Sequence, residues 1–130
     1  MDEKQFYSRN ELDEFRVIIQ EKLEKARKEY KRLADNLKEI GQNTSDSYNF
    51  TEFGNVGTEK EEVELLMARQ SKFIFNLEKA MVRIENGSYG KCRISGVLIP
   101  KERLRVVPHA TTTIEAKKQQ SLKRVPKNRG

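Results

Sequence analysis

Apolar residues recur along the first half of the chain at helical spacing. Leu23, Ala26, Tyr30, Leu33, Leu37 and Ile40 step by 3, 4, 3, 4 and 3, and Leu12, Phe15 and Ile19 carry the stripe toward the N-terminus. The positions between them are mostly Glu, Lys and Arg, so the pattern is a coiled-coil seam with solvated flanks. Ser8-Arg9-Asn10-Glu11 has the hydroxyl-to-carboxylate spacing of a capping box. Gly41 is read as the stop. The spacing therefore predicts a helix over 9–40, about 50 Å long. A second helix is predicted from a second capping box, Thr58-Glu59-Lys60-Glu61. Its seam is Val63, Leu66, Gln70, Phe73, Leu77, Ala80 and Ile84, widened by Ile74 and Met81, with Gly87 as the residue after its end. Gln70 is a polar interruption of the kind that sets register at some cost in stability.

Two helices of similar length, each with one apolar stripe, bury those stripes most economically as an antiparallel hairpin. A dimer built on the same seams is the competing arrangement. Residues 42–57 form the tip between the helices. They are rich in turn formers yet hold Tyr48, Phe50 and Phe53. These aromatics either fold back over the coiled coil or serve as contacts at the far end of the hairpin.

After Gly87 the pattern changes. Gly87-Ser88-Tyr89-Gly90 and Ser95-Gly96 mark turns around a short extended pair. Val97-Leu98-Ile99 is an apolar run closed by Pro100, Lys101–Leu104 reads as a short helical turn, and Thr111–Thr113 opens a last helix. The expected organisation is a hairpin over 1–86, a small module over 87–121 that packs on the base of the hairpin, and a basic tail over 122–130. A region this small cannot stabilise itself alone.

Composition narrows the function classes. Hydrophobic and charged residues each make up 35% of the 130 residues, which suits an elongated helical protein better than a compact globule. No run approaches the ~20 apolar residues of a membrane span. No signal-peptide pattern stands at the N-terminus. The single cysteine, Cys92, makes no internal disulfide. These features point to a cytoplasmic protein without membrane partners. The net charge is +6, and residues 117–130 carry six cations (Lys117, Lys118, Lys123, Arg124, Lys127 and Arg129) with no acid. Residues 1–116 thus sum to zero. The basic C-terminus is either a solvated terminus or a nonspecific binder of nucleic-acid phosphates. One histidine, His109, and one cysteine supply no supported nucleophile, and there is no phosphate-binding glycine motif. The chain reads as a non-enzyme.

The segment Tyr89-Gly90-Lys91-Cys92-Arg93-Ile94-Ser95-Gly96, with Ile99-Pro100-Lys101-Glu102-Arg103-Leu104 and Pro108-His109-Ala110-Thr111, resembles the DksA/TraR family of RNA polymerase-binding transcription factors. In that family the pattern makes a four-cysteine zinc finger. Its ligand positions fall here on Cys92, Ser95, Thr113 and Ala116, so only one thiol remains and zinc is not expected. The resemblance implies a metal-free, degenerate finger, with Cys92 as a small buried residue. Val97, Leu98, Ile99, Leu104, Val106, Val107 and Ile114 would hold the module together in place of the metal.

The resemblance also implies a role. Family members insert the hairpin into the secondary channel of RNA polymerase and alter initiation, many of them with the alarmone ppGpp of the stringent response. Their tip carries an acidic pair, and an ungapped count from Cys92 places the equivalent positions on Asn49 and Glu52, with Asp46 a further acid nearby. The same count places Arg69 and Lys117 at polymerase or alarmone contacts, and Asn76 and Val107 at two others, so the cation set is incomplete. The expectation is a monomeric transcription regulator with its tip as the polymerase contact. A tail-driven nucleic-acid binder and a coiled-coil adaptor stand as the alternatives.

Overall fold

The computed structural model describes residues 5–46 and 50–124, with side chains over 5–42 and 58–122. It is mostly helical, in the order α1 (Arg9–Asp46), α2 (Phe50–Asn86), α3 (Lys101–Val106) and α4 (Ile114–Arg124). Among the described residues the predicted extended pair reduces to one antiparallel bridge, Lys91 with Leu98.

α1 and α2 form the predicted hairpin, but both helices are longer than their sequence signals. α1 runs through Gly41 to Asp46, and α2 begins at Phe50 rather than at Thr58. Adding a residue to a formed helix gains a hydrogen bond for one residue fixed, so a single glycine costing about 1 kcal/mol does not stop it. Gly41 keeps a negative φ, unlike Gly87, Gly90 and Gly96. Most of the expected tip is therefore helical backbone. The side chains of Tyr48, Phe50 and Phe53 lie outside the described residues.

The chain divides into two compact units, Met1–Gln20 with Leu77–Gly130, and Glu21–Asn76. In the second unit Leu33, Ile40 and Val63 form a buried cluster, with Leu37 and Met67 packed against it. The predicted seam holds at these positions. It fails at Tyr30, which is 37% exposed, and at Leu66, 43% exposed. A pair of helices covers only a narrow strip of each partner, so a stripe wider than that strip leaves its edges in water. Gln70 is half-buried, and its Oε1 has no hydrogen-bond partner among the described residues.

The first unit holds the larger core. Leu12, Phe15 and Ile19 of α1 and Leu77, Ala80 and Ile84 of α2 are buried with Tyr89, Ile99 and Leu104 of the C-terminal module. Phe15 packs between two tyrosines, with ring centroids 6.0 Å from Tyr7 and 5.4 Å from Tyr89, both tilted. Each such pair contributes about 0.5–1.5 kcal/mol beyond its buried area. The Tyr7 hydroxyl donates to the Ile99 carbonyl and the Tyr89 hydroxyl to that of Pro108, the latter at 2.7 Å. The segment before α1 thus clamps the module. The Ser8 box forms in both directions: the Ser8 amide donates to Glu11 Oε1 at 2.8 Å, and the Glu11 amide to Ser8 Oγ at 3.2 Å. Glu11 also pairs with Lys101 at 2.8 Å. Arg16 meets Glu85 at 2.5 Å, so the start of α1 lies beside the end of α2.

Gly90 is where this packing is tightest. Its φ is +86°, and a Cβ there would sit 2.6 Å from Tyr7 Cδ2. Gly90→Ala is expected to destabilise the protein by about 2–3 kcal/mol, adding left-handed backbone cost to an overpacked contact. Urea unfolding measures it, and the same substitution at Gly96, where a Cβ meets nothing within 4 Å, should cost clearly less.

Candidate functional site

The C-terminal module starts where α2 stops. The Ser88 amide donates to the Arg83 carbonyl at 3.0 Å and the Gly87 amide to that of Ile84 at 3.2 Å, while Gly87 takes φ +83°. This is the Schellman pattern that the position of Gly87 predicted. The chain then turns twice. The Cys92 amide donates to the Val97 carbonyl at 2.8 Å, the Gly96 amide returns to the Cys92 carbonyl at 2.9 Å, and the Ile99 amide reaches the Gly90 carbonyl at 2.7 Å. The Arg93 amide donates to the Thr111 carbonyl at 2.9 Å and joins this knuckle to the segment before α4.

All four positions singled out in the sequence are linked by hydrogen bonds. Cys92 is buried, and its Sγ accepts the backbone amides of Ser95 and Thr113, each at 3.4 Å. Thr113 Oγ1 accepts the Ala116 amide at 3.1 Å and caps the first turn of α4. Cys92, Thr113 and Ala116 are buried, whereas Ser95 is exposed. This arrangement does not fit a tetrahedral zinc ion. It offers one thiol, Thr113 spends its hydroxyl on the helix cap, and Ala116 has no donor atom. Among the described residues no group of three or more His, Cys, Asp or Glu side chains is placed to hold a metal.

Of the apolar residues expected to replace the metal, Ile99 and Leu104 are buried and Leu98 and Val107 half-buried. Val97, Val106 and Ile114 are exposed. They flank a shallow module whose interior is already filled by Tyr89, Phe15 and Tyr7. Tyr7 lies in neither the periodic stripe nor the finger pattern, and the sequence signal for it was limited to its place just ahead of the capping box.

The other candidate residues lie apart. Arg69 is an exposed residue of α2 in the second unit, and Lys117 is exposed on α4 in the first. Asp46 and Glu52 fall on the helical backbone of α1 and α2, and their side chains, like Asn49 as a whole, are outside the described residues. Lys117 and Lys118, counted with the basic tail in sequence, belong to α4. The Thr113 cap starts that helix and carries it to Arg124.

Residues 87–120 match the family model described as the prokaryotic DksA/TraR C4-type zinc finger. Over these residues the chain is similar to the DksA/TraR family. It is 41% identical over 51 residues to the RNA polymerase-binding transcription factor DksA of Caulobacter vibrioides, covering 39% of this chain and 36% of that protein. It is 39% identical over 61 residues to the uncharacterized protein YteA of Bacillus subtilis, covering 47% of this chain and 26% of that one. General stress protein 16O of B. subtilis is 26% identical over 98 residues, with 75% and 59% covered. The chain thus spans about a quarter to a third of the first two relatives. In fold it resembles the transcription factor DksA2 from Pseudomonas aeruginosa, with a TM-score of 0.79 at 22% identity, covering 87% of this chain and 84% of that one.

The chemistry of the Cys92 thiol is set by its backbone surroundings. Burial pushes the Cys92 thiol up, but hydrogen bonds from Ser95, Thr113 and Ile94 outweigh it and bring it down to about 6. A depressed folded value stabilises the fold above the unfolded value and loses that contribution as pH falls through the folded one. Thiolate absorbance at 240 nm should therefore appear with a midpoint near pH 6 in the folded chain and near the ordinary value of about 8.5 in urea. Relative to Cys92→Ser, the protein should gain stability between these two values. A single midpoint shared by both states would contradict this.

Proposed function

We propose that this chain is a metal-free transcription regulator that binds RNA polymerase and inserts the tip of its helical hairpin into the secondary channel to modulate initiation. The observation that supports this reading most is the finger frame itself. It keeps the turns, the Tyr89-Gly90 entry and the Cys92 position of the DksA/TraR pattern, and it sits on a hairpin with the DksA2 fold. Relatives that carry this module include a transcription factor named for binding RNA polymerase.

On this reading the hairpin is a positioning device, with Asp46, Asn49 and Glu52 at the tip and Arg69 and Lys117 as polymerase or alarmone contacts. The protein is monomeric and cytoplasmic, with no enzymatic step of its own. No helix among the described residues is long and apolar enough to cross a membrane. With Asn76 and Val107 at two of the positions, a ppGpp contact at the complex rests on Arg69 and Lys117, fewer cations than a polyphosphate usually meets. The second reading, a nucleic-acid binder acting through its C-terminus, draws on the cations of α4 and residues 125–130. A coiled-coil adaptor is the third.

Pull-down of purified chain with core polymerase separates them. Wild type and a chain lacking the basic tail, residues 122–130, should bind alike, while Glu52→Ala should change either affinity or transcriptional output by roughly tenfold, about 1.4 kcal/mol at the tip. Loss of polymerase binding with retained, strongly salt-dependent DNA binding would favour the second reading. Light scattering that shows a concentration-dependent oligomer would favour the third. The same preparation should contain no stoichiometric zinc by elemental analysis, and a chelator should leave its melting temperature unchanged.

A further inference from the structure

A groove on the C-terminal module lies between α3 and the start of α4, and neither the fold nor the proposed polymerase contact uses it. Its volume is about 390 Å³, within the range of small-molecule sites. Pro100, Val106, Val107 and Ile114 supply its apolar lining, and Glu102, Arg103 and Glu115 its charges. Val106 is 76% exposed and Ile114 48%, so this apolar surface stands open to solvent. Leu104 on α3 and Ala116 on α4 are buried and anchor the two walls. The Arg103 Nε donates to the Thr112 carbonyl at 3.1 Å and ties α3 to the segment before α4. The Thr113 hydroxyl caps α4 itself. The walls are therefore fixed before any ligand arrives.

Glu102 and Glu115 come from different walls, and among the described residues neither carboxylate has an ion-pair or hydrogen-bond partner. Two carboxylates and one guanidinium leave the lining with one net negative charge. The chain as a whole carries +6, so this negative site is local and runs against the global charge. Apolar walls beside the carboxylates lower the local dielectric and strengthen their attraction for a cation. The same carboxylates repel an anion. The groove thus matches a ligand with an apolar body and one positive charge.

We propose that this groove binds a small amphipathic amine, with its alkyl body against Val106, Val107 and Ile114 and its single ammonium group toward Glu102 and Glu115. The proposal does not depend on polymerase binding. Burial of the alkyl body supplies most of the affinity. The two carboxylates select the sign of the charge, since an ammonium has three donors and no acceptor.

A ligand series of constant apolar body and varying charge tests this. Hexylamine, hexanol and hexanoate are titrated into the full chain at neutral pH and equal ionic strength, and the methyl resonances of Val106, Val107 and Ile114 are followed by NMR. Hexylammonium should bind most tightly, hexanol next and hexanoate least, with about tenfold between the two ends, as expected for partly exposed charges. Glu102→Gln combined with Glu115→Gln should bring hexylammonium and hexanol to equal affinity. Binding of hexanol by that variant at the wild-type level shows that its groove is intact. Ile114→Ser should weaken all three ligands by a similar factor. Hexanoate binding as tightly as hexylammonium, the wild-type order persisting in the double variant, or methyl resonances that none of the three ligands moves would each overturn the assignment.

Discussion

The burial of Phe15 between Tyr7 and Tyr89 is the contact on which the C-terminal module depends. A module of about 35 residues has too little apolar material to fold by itself. In a metal-bearing finger the shortfall is met by coordination, which in zinc-finger peptides supplies about 10–16 kcal/mol. Here the module lies on a surface already organised by α1 and α2. Tyr7, Phe15 and Tyr89 join the segment before α1, the first turns of α1 and the start of the module in one packed set. Hydrogen bonds from both tyrosine hydroxyls to carbonyls of the module keep its turns in register. Gly90 has to be glycine because the backbone passes against the Tyr7 ring.

Around Cys92, Ser95, Thr113 and Ala116 the polar groups satisfy one another. One sulfur accepts two amides, and one threonine hydroxyl begins a helix. These bonds are individually modest, near 1 kcal/mol each for neutral pairs and more when the sulfur is ionised. Their value lies in fixing where α4 starts. That placement puts Lys117 on a helix rather than in a tail.

Much of this was legible in the sequence. The two seams, the Ser8 capping box, the Gly87 helix stop and the Cys92 knuckle all rest on contacts between residues a few positions apart, and periodicity and cap chemistry report such contacts directly. The helix ends at the tip were not legible, because Gly41 and Thr58 signal termini only if nothing favours continuing, and propagation of an existing helix does. The apolar run 97–99 was read as uniform filler. The fold buries Ile99 and leaves Val97 exposed, since neighbouring residues of an extended segment point to opposite sides.

The sequence by itself determined the hairpin and the resemblance of residues 87–120 to the DksA/TraR finger, because each depends on residue identity at fixed spacing. The tertiary structure decided what holds the module against the hairpin helices. Tyr7 and Ile99 are 92 residues apart, and Phe15 and Tyr89 lie on separate elements. Spacing along a chain carries no record of contacts at that range, and only the packing of Phe15 and the direction of each helix brings those groups together.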